Sequence, residues 1–170
     1  MSLTKLTWSG FLIFGLAGCA GYRLGPASGV AAGSKTIQVN FFRNSTLEPR
    51  LVEAVAFSLR KRLQQEGTYR LNTHGDGEII VNGVITQFWR SELTLQPNDV
   101  ITVQDYTLYL RTKVTAIERS TGKVVLDQEI SGHTTIRVGN DLASSERQAV
   151  PLLADDLARN VTDRLVDGTW

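Results

Sequence analysis

Two stretches of the chain repeat apolar residues every four positions, and the stretches around them alternate apolar with polar. From Thr36 to Phe42, Ile37, Val39 and Phe41 alternate with Gln38, Asn40 and Phe42, the pattern of a half-buried strand. Arg43-Asn44-Ser45-Thr46 follows as a turn, with Ser45 or Thr46 as the expected cap of the next helix. Pro49 suits a first helical turn. Leu51, Val55, Leu59 and Leu63 then make one stripe, widened by Val52 and Ala56. Arg60, Lys61, Arg62, Gln64 and Gln65 lie off that stripe, and Gly67 closes the helix.

The middle of the chain reads as strands. Tyr69 to Thr73 is short, and His74-Gly75-Asp76-Gly77 is a turn. Glu78 to Arg90 is long, with Ile79, Val81 and Ile85 on one face and Gly83 between them. Ser91 to Asn98 reads as a loop with Pro97-Asn98 at its tip. Thr102 to Glu118 places Leu108, Leu110, Val114 and Ala116 on one face and Tyr109, Arg111, Lys113 and Thr115 on the other. Ser120-Thr121-Gly122-Lys123 is a hairpin turn, and Val124 to Val138 follows with Val124, Leu126 and Ile130 on one side.

A last helix is expected from Ser144 or Ser145 to Asp167, striped by Leu153, Leu157, Val161 and Leu165. Ser145 and Gln148 have capping-box spacing. Pro151 marks either a kink or the start of the packed helix, with helical structure expected on both sides. Strand, helix, several strands, helix, each with one apolar face, predicts an α+β fold. Its economical form is a two-layer sandwich: two helices on one face of a mostly antiparallel sheet of four to five strands. A right-handed crossover joins the first strand to the next if that pair is parallel.

The first residues do not belong to this pattern. Lys5 precedes an apolar run from Leu6 to Ala17 that is too short for a comfortable membrane crossing of roughly 20 residues, and it suits a secretory signal peptide. The run ends in Leu16-Ala17-Gly18-Cys19, which resembles the lipobox of bacterial lipoproteins. Small residues admit the backbone to a peptidase, and the thiol takes a diacylglyceryl group. With a further N-acyl chain the anchor is stable, where one chain alone is marginal. The alternatives are an ordinary signal peptide with an incidental cysteine and a buried apolar helix. Against both, Cys19 is the single cysteine of the chain and stands where the lipobox requires it. The predicted organisation is a signal peptide over 1–18, a lipidated tether over 19–34 and one domain over 35–170. Ala20, rather than aspartate, follows the cysteine, which by analogy with enterobacterial sorting indicates the outer membrane, periplasmic side.

Composition narrows the function classes. The chain has 170 residues, with 18 Lys+Arg and 17 Asp+Glu. Loss of 1–18 removes only Lys5 and leaves a mature chain without net charge, unlike a nucleic-acid binder. A lipidated Cys19 leaves no thiol for a disulfide, a zinc site or catalysis. His74 and His133 lack metal-ligand spacing, and Asp155-Asp156 reads as a solvated helix face. No nucleophile elbow, P-loop or dinucleotide-binding motif is present. No cofactor is expected beyond the covalent lipid at Cys19, and no enzyme. Tyr109, Arg111 and Lys113, with Arg137 or Arg90 nearby, form the candidate surface for phosphates or an acidic partner. A solvated sheet face with scattered cations is the simpler reading of the same residues. Trp89, Tyr106 and Trp170 are either interface anchors or core aromatics.

Taken together these residues resemble the LPS-assembly lipoprotein family, LptE (RlpB), in a divergent, non-enterobacterial form. Cys19-Ala20-Gly21-Tyr22-Arg23-Leu24 is similar to that family's mature start, with one extra residue. Phe42-Arg43-Asn44-Ser45-Thr46-Leu47-Glu48-Pro49-Arg50-Leu51 resembles its strand-to-helix join, and Asp105-Tyr106 resembles an acidic–tyrosine pair opening a long strand. The resemblance implies an outer-membrane lipoprotein that complexes with the LptD-type β-barrel and helps to assemble and transport lipopolysaccharide. The basic residues tied to lipopolysaccharide in enterobacterial members have no counterparts here, so it assigns no binding residue. Other readings are a lipoprotein activator of a peptidoglycan synthase and a subunit of another envelope complex.

Overall fold

The computed structural model describes residues 32–96, 99–138 and 141–167, with backbone only for the described part of 93–104. The lipobox, Cys19, the tether as far as residue 31, Pro97-Asn98 and Trp170 lie outside the described residues. The elements are β1 (Lys35–Val39), β2 (Arg43–Asn44), α1 (Leu51–Glu66), β3 (Tyr69–Leu71), β4 (Ile79–Gln96), β5 (Asp99–Glu118), β6 (Val124–Arg137) and α2 (Leu142–Asp167).

The α+β sandwich is present, and its sheet is mixed. The strand order is β3-β1-β4-β5-β6, with β2 paired to β4 as well. β1 runs parallel to both β3 and β4, whereas β4–β5 and β5–β6 are antiparallel. The parallel part follows from connectivity: α1 carries the chain from β1 to β3, and a helical crossover brings it back in the same direction. The two-residue β2 adds a sixth strand that no periodicity could reveal.

One apolar core lies between the sheet and the helices. Leu51, Val55, Leu59 and Leu63 of α1 and Leu153, Leu157, Val161 and Leu165 of α2 are all buried, so both stripes behave as predicted. They meet Ile37, Val39, Ile79, Val81, Ile85, Leu108 and Leu110 of the sheet. Gly132 of β6 lets α2 approach closely: a Cβ there would lie 2.6 Å from the backbone nitrogen of Leu157. Pro151 sits inside a helix continuous on both sides of it.

Several local readings are corrected. The first strand ends at Val39, so the alternation breaks. Phe42 is buried against Gly83, whereas Phe41 is exposed. Neither Ser45 nor Thr46 caps α1; its N-cap is Arg50, with no side-chain cap bond. Instead the Asn44 amide oxygen accepts from the Thr46 N–H and hydroxyl and folds the turn. Gly67 does close α1, in the left-handed region at φ 79°, its N–H donating to the Leu63 carbonyl. Ser91–Gln96 is strand rather than loop, because β4 stays paired with β5 to Gln96↔Asp99. Asp141, not the Ser145–Gln148 pair, caps α2 by accepting from the N–H groups of Ala143 and Ser144. Val124 is exposed, because Val125 is an extra residue against Ala116 and Ile117 and turns the strand over.

Candidate functional site

β4, β5 and β6 turn their second face away from the helices, and the candidate residues gather there. Trp89, Tyr109 and His133 occupy matching positions on the three strands. The Trp89 and Tyr109 rings are stacked, 4.9 Å between centroids and 10° between planes. His133 extends the row, 6.1 Å from Tyr109. Cross-strand aromatic pairs of this kind contribute about 0.5–1.5 kcal/mol beyond the area they bury.

Arg111 lies one step along the sheet. Its guanidinium stands 5.2 Å from the centre of the Trp89 ring and donates from Nη1 to Gln87 Oε1 at 3.0 Å. No carboxylate is within ion-pair distance of Arg111 among the described residues. Lys113 shares the face but is paired, its Nζ 2.8 Å from Asp127 Oδ1. That ammonium donates to Asp127 and holds its carboxyl below the usual range. Arg137 is likewise neutralised by Asp105. Arg90 does not join this face; it reaches across to Glu146 of α2. Tyr109, Arg111 and Lys113 therefore do share one surface, on which Arg111, unlike Lys113, has no carboxylate partner among the described residues.

Beside Arg111 a groove of about 760 Å³ opens between β4 and the turn before α1. Leu47, fully exposed, forms one wall, and Thr86, Gln87, Phe88 and Trp89 form the other. Sequence periodicity had no means of finding it, since β2 and the turn have no repeating pattern. Tyr106 and Trp89 are both half-buried; Tyr106 packs against the core, whereas Trp89 stacks in the row on the second sheet face.

The remaining candidates are structural. His74 N–H donates to Asn72 Oδ1 within its turn. Arg119 ties that turn down, donating to the carbonyls of Gly75 and Gly77. The two adjacent aspartates are not a solvated face. Asp155 accepts from Nε and Nη2 of Arg62 and so clips α2 to α1, and Arg62 holds its carboxyl below the usual range. Asp156 accepts from the backbone N–H of His133 at 2.9 Å and pairs with Arg159. Among the described residues no group of three or more His, Cys, Asp or Glu is placed to hold a metal ion. No helix among them is long and apolar enough to cross a membrane.

Comparison with known proteins decides the family. The LptE lipopolysaccharide-assembly family model matches residues 34–165. The chain belongs to the LptE family. No curated protein shows significant sequence similarity to it. Among solved structures the LptE-family chain is similar to the hypothetical protein CT253 from Chlamydia trachomatis, at TM-score 0.59 and 11% identity, over 79% of this chain and 97% of that one. It is similar to a minor lipoprotein from Acinetobacter baumannii, at TM-score 0.52 and 14% identity, over 78% and 93%. It also resembles protein XCC0632 from Xanthomonas campestris, at TM-score 0.54 and 10% identity, over 84% and 93%. At such identities these likenesses show a shared fold.

Proposed function

We propose that this LptE-family chain is a lipoprotein, anchored through lipid at Cys19 to the periplasmic side of the outer membrane, that complexes with an LptD-type β-barrel and assists lipopolysaccharide assembly there. The observation that carries this reading is the family match across the folded domain. The lipobox-like Leu16-Ala17-Gly18-Cys19 and the short stretch behind it support the anchor. A domain tethered this closely works at the membrane, where the lipid raises its effective concentration near a barrel partner.

The physical character of the domain suits that role. The chain from Cys19 onward carries no net charge, and the domain's second sheet face is polar and aromatic rather than greasy, compatible with a water-filled barrel lumen. Arg111, stacked on Trp89 and free of a carboxylate, is the residue on that face best suited to a phosphate or an acidic partner. Tyr109 supports it through the aromatic row; Lys113, already paired, contributes less. No catalytic role is assigned to any residue, and no cofactor other than the covalent lipid.

Affinity purification of the full-length lipoprotein from outer membranes tests the reading. A large barrel protein in the eluate, with a diacylglyceryl group on the terminal cysteine by mass spectrometry, is the expected result. Recovery of cell-wall synthases without a barrel overturns it in favour of an activator, and an unmodified Cys19 overturns the anchor.

A further inference from the structure

The sheet has two long strand edges, and the fold treats them differently. Among the described residues β6 pairs only with β5, so its outer edge offers backbone groups to any strand that passes. α2 occupies that edge. Asp156 accepts from the His133 N–H at 2.9 Å, and the Asn160 amide donates to the Ser131 carbonyl at 2.8 Å. These groups no longer invite pairing.

Among the described residues β4 has no such plug at its far end. β1 covers its near part, where the Asn40 N–H donates to the Val81 carbonyl. β2 continues to Ile85, whose carbonyl accepts from the Ser45 N–H at 3.0 Å. Thr86 is an extra residue in the ladder, and beyond it β4 pairs only with β5 among the described residues. The register then fixes where the backbone points. Ile85 bonds toward β2, so its partner Thr112 faces β6, and Arg111 next to it faces β4 and pairs with Gln87. Alternation sends the N–H and C=O groups of Phe88, Arg90 and Glu92 away from β5, toward the open side. The groove of about 760 Å³ runs along the start of this edge.

We propose that the open edge of β4, from Gln87 to Glu92, takes up an extended segment of another protein as an added strand, one whose side chains alternate apolar and acidic. Backbone pairing supplies the attachment, and the alternate side chains supply selectivity. Those on one face meet Phe88 and Leu47, apolar groups beside Glu48, whose carboxylate disfavours an acidic side chain on that face. Those on the other face meet Arg111, Gln87 and Trp89, where the uncompensated guanidinium selects a carboxylate. The inference holds for any partner with such a segment and does not require the lipopolysaccharide reading.

The test uses the full-length protein in detergent and a fluorescein-labelled peptide of alternating valine and glutamate, followed by anisotropy. The peptide is expected to bind. The same peptide with N-methylated amides should bind at least about tenfold more weakly, because it keeps every side chain but cannot form a ladder. A valine–lysine peptide should also bind weakly, and Arg111→Glu should reverse the preference between the two. Phe88→Pro removes an outward N–H without touching the β5 ladder and should abolish binding. Equal binding of the methylated peptide, or failure of the valine–glutamate peptide to bind, overturns the proposal. So does a dimer in sedimentation that Phe88→Pro dissolves, which assigns the edge to a second copy.

Discussion

The Asp156 carboxylate of α2 accepts a hydrogen bond from the backbone N–H of His133 on β6, at 2.9 Å. With Asn160 bonded to the Ser131 carbonyl, it makes the helix a guard for the sheet edge as well as a layer of the core. The double variant Asp156→Ala/Asn160→Ala loses both plugs. Each lost bond costs about 1 kcal/mol, and the bared edge promotes strand pairing between molecules. Sedimentation should show concentration-dependent self-association absent from the parent; a monomer at all concentrations contradicts the assignment.

Gly132 sets how closely α2 lies on β6. A Cβ there meets the Leu157 backbone, which cannot rotate away as a side chain can. Gly132→Ala should lower stability by about 1–3 kcal/mol, as overpacking does. Chemical denaturation measures it, and an unchanged midpoint would show that α2 is free to shift.

Acid should loosen the domain at identifiable places. Glu78 is held below the usual carboxylate range by hydrogen bonds from Thr36, first its backbone N–H, and Asp155 by Arg62. Asp141, the cap of α2, is lowered by Ser144 and Ala143. A depressed folded pKa contributes stability above the unfolded value, near 4, and that stability is lost as pH falls through the folded value. Thermal stability should therefore be flat above pH 5 or so and fall below about pH 4. The Asp155→Asn variant should show a shallower fall than the parent, and an identical acid limb would remove Asp155 from the account.

Charge reversal should separate two cations that share a face. Arg111 has no carboxylate partner among the described residues, while Lys113 is 2.8 Å from Asp127. Arg111→Glu should weaken binding of lipopolysaccharide or the barrel partner several-fold, an effect of about 1 kcal/mol or more. Lys113→Glu should weaken it less and should lower stability through repulsion with Asp127. Co-purification yield and pull-down on immobilised lipopolysaccharide read the first effect, and thermal denaturation the second. Equal losses of binding would contradict the ranking.

The helices were legible because a stripe such as Leu51, Val55, Leu59 and Leu63 needs only the helical period to be seen. The faces of β5 were legible for the same reason, and so Tyr109, Arg111 and Lys113 were grouped correctly. Ser91–Gln96 was not, because the alternation of Leu93 and Leu95 is too short, next to Pro97-Asn98, to tell a strand end from a loop. Phe41 and Phe42 exchanged places because the strand ends at Val39, and an alternation read through a strand end loses its phase. Asp156 looked solvated because its partner is a backbone N–H on a distant strand, which no side-chain spacing announces. The open edge and its groove depend on where β2 stops, a fact of topology rather than of composition.

The central claim is a role in lipopolysaccharide assembly, and depletion in the native bacterium tests it most directly. Surface lipopolysaccharide, measured by labelling intact cells while the protein is depleted, should fall as newly made lipopolysaccharide accumulates on the inner side of the envelope. A Cys19→Ala copy of the gene should fail to restore it. Undiminished surface lipopolysaccharide after full depletion would contradict the account.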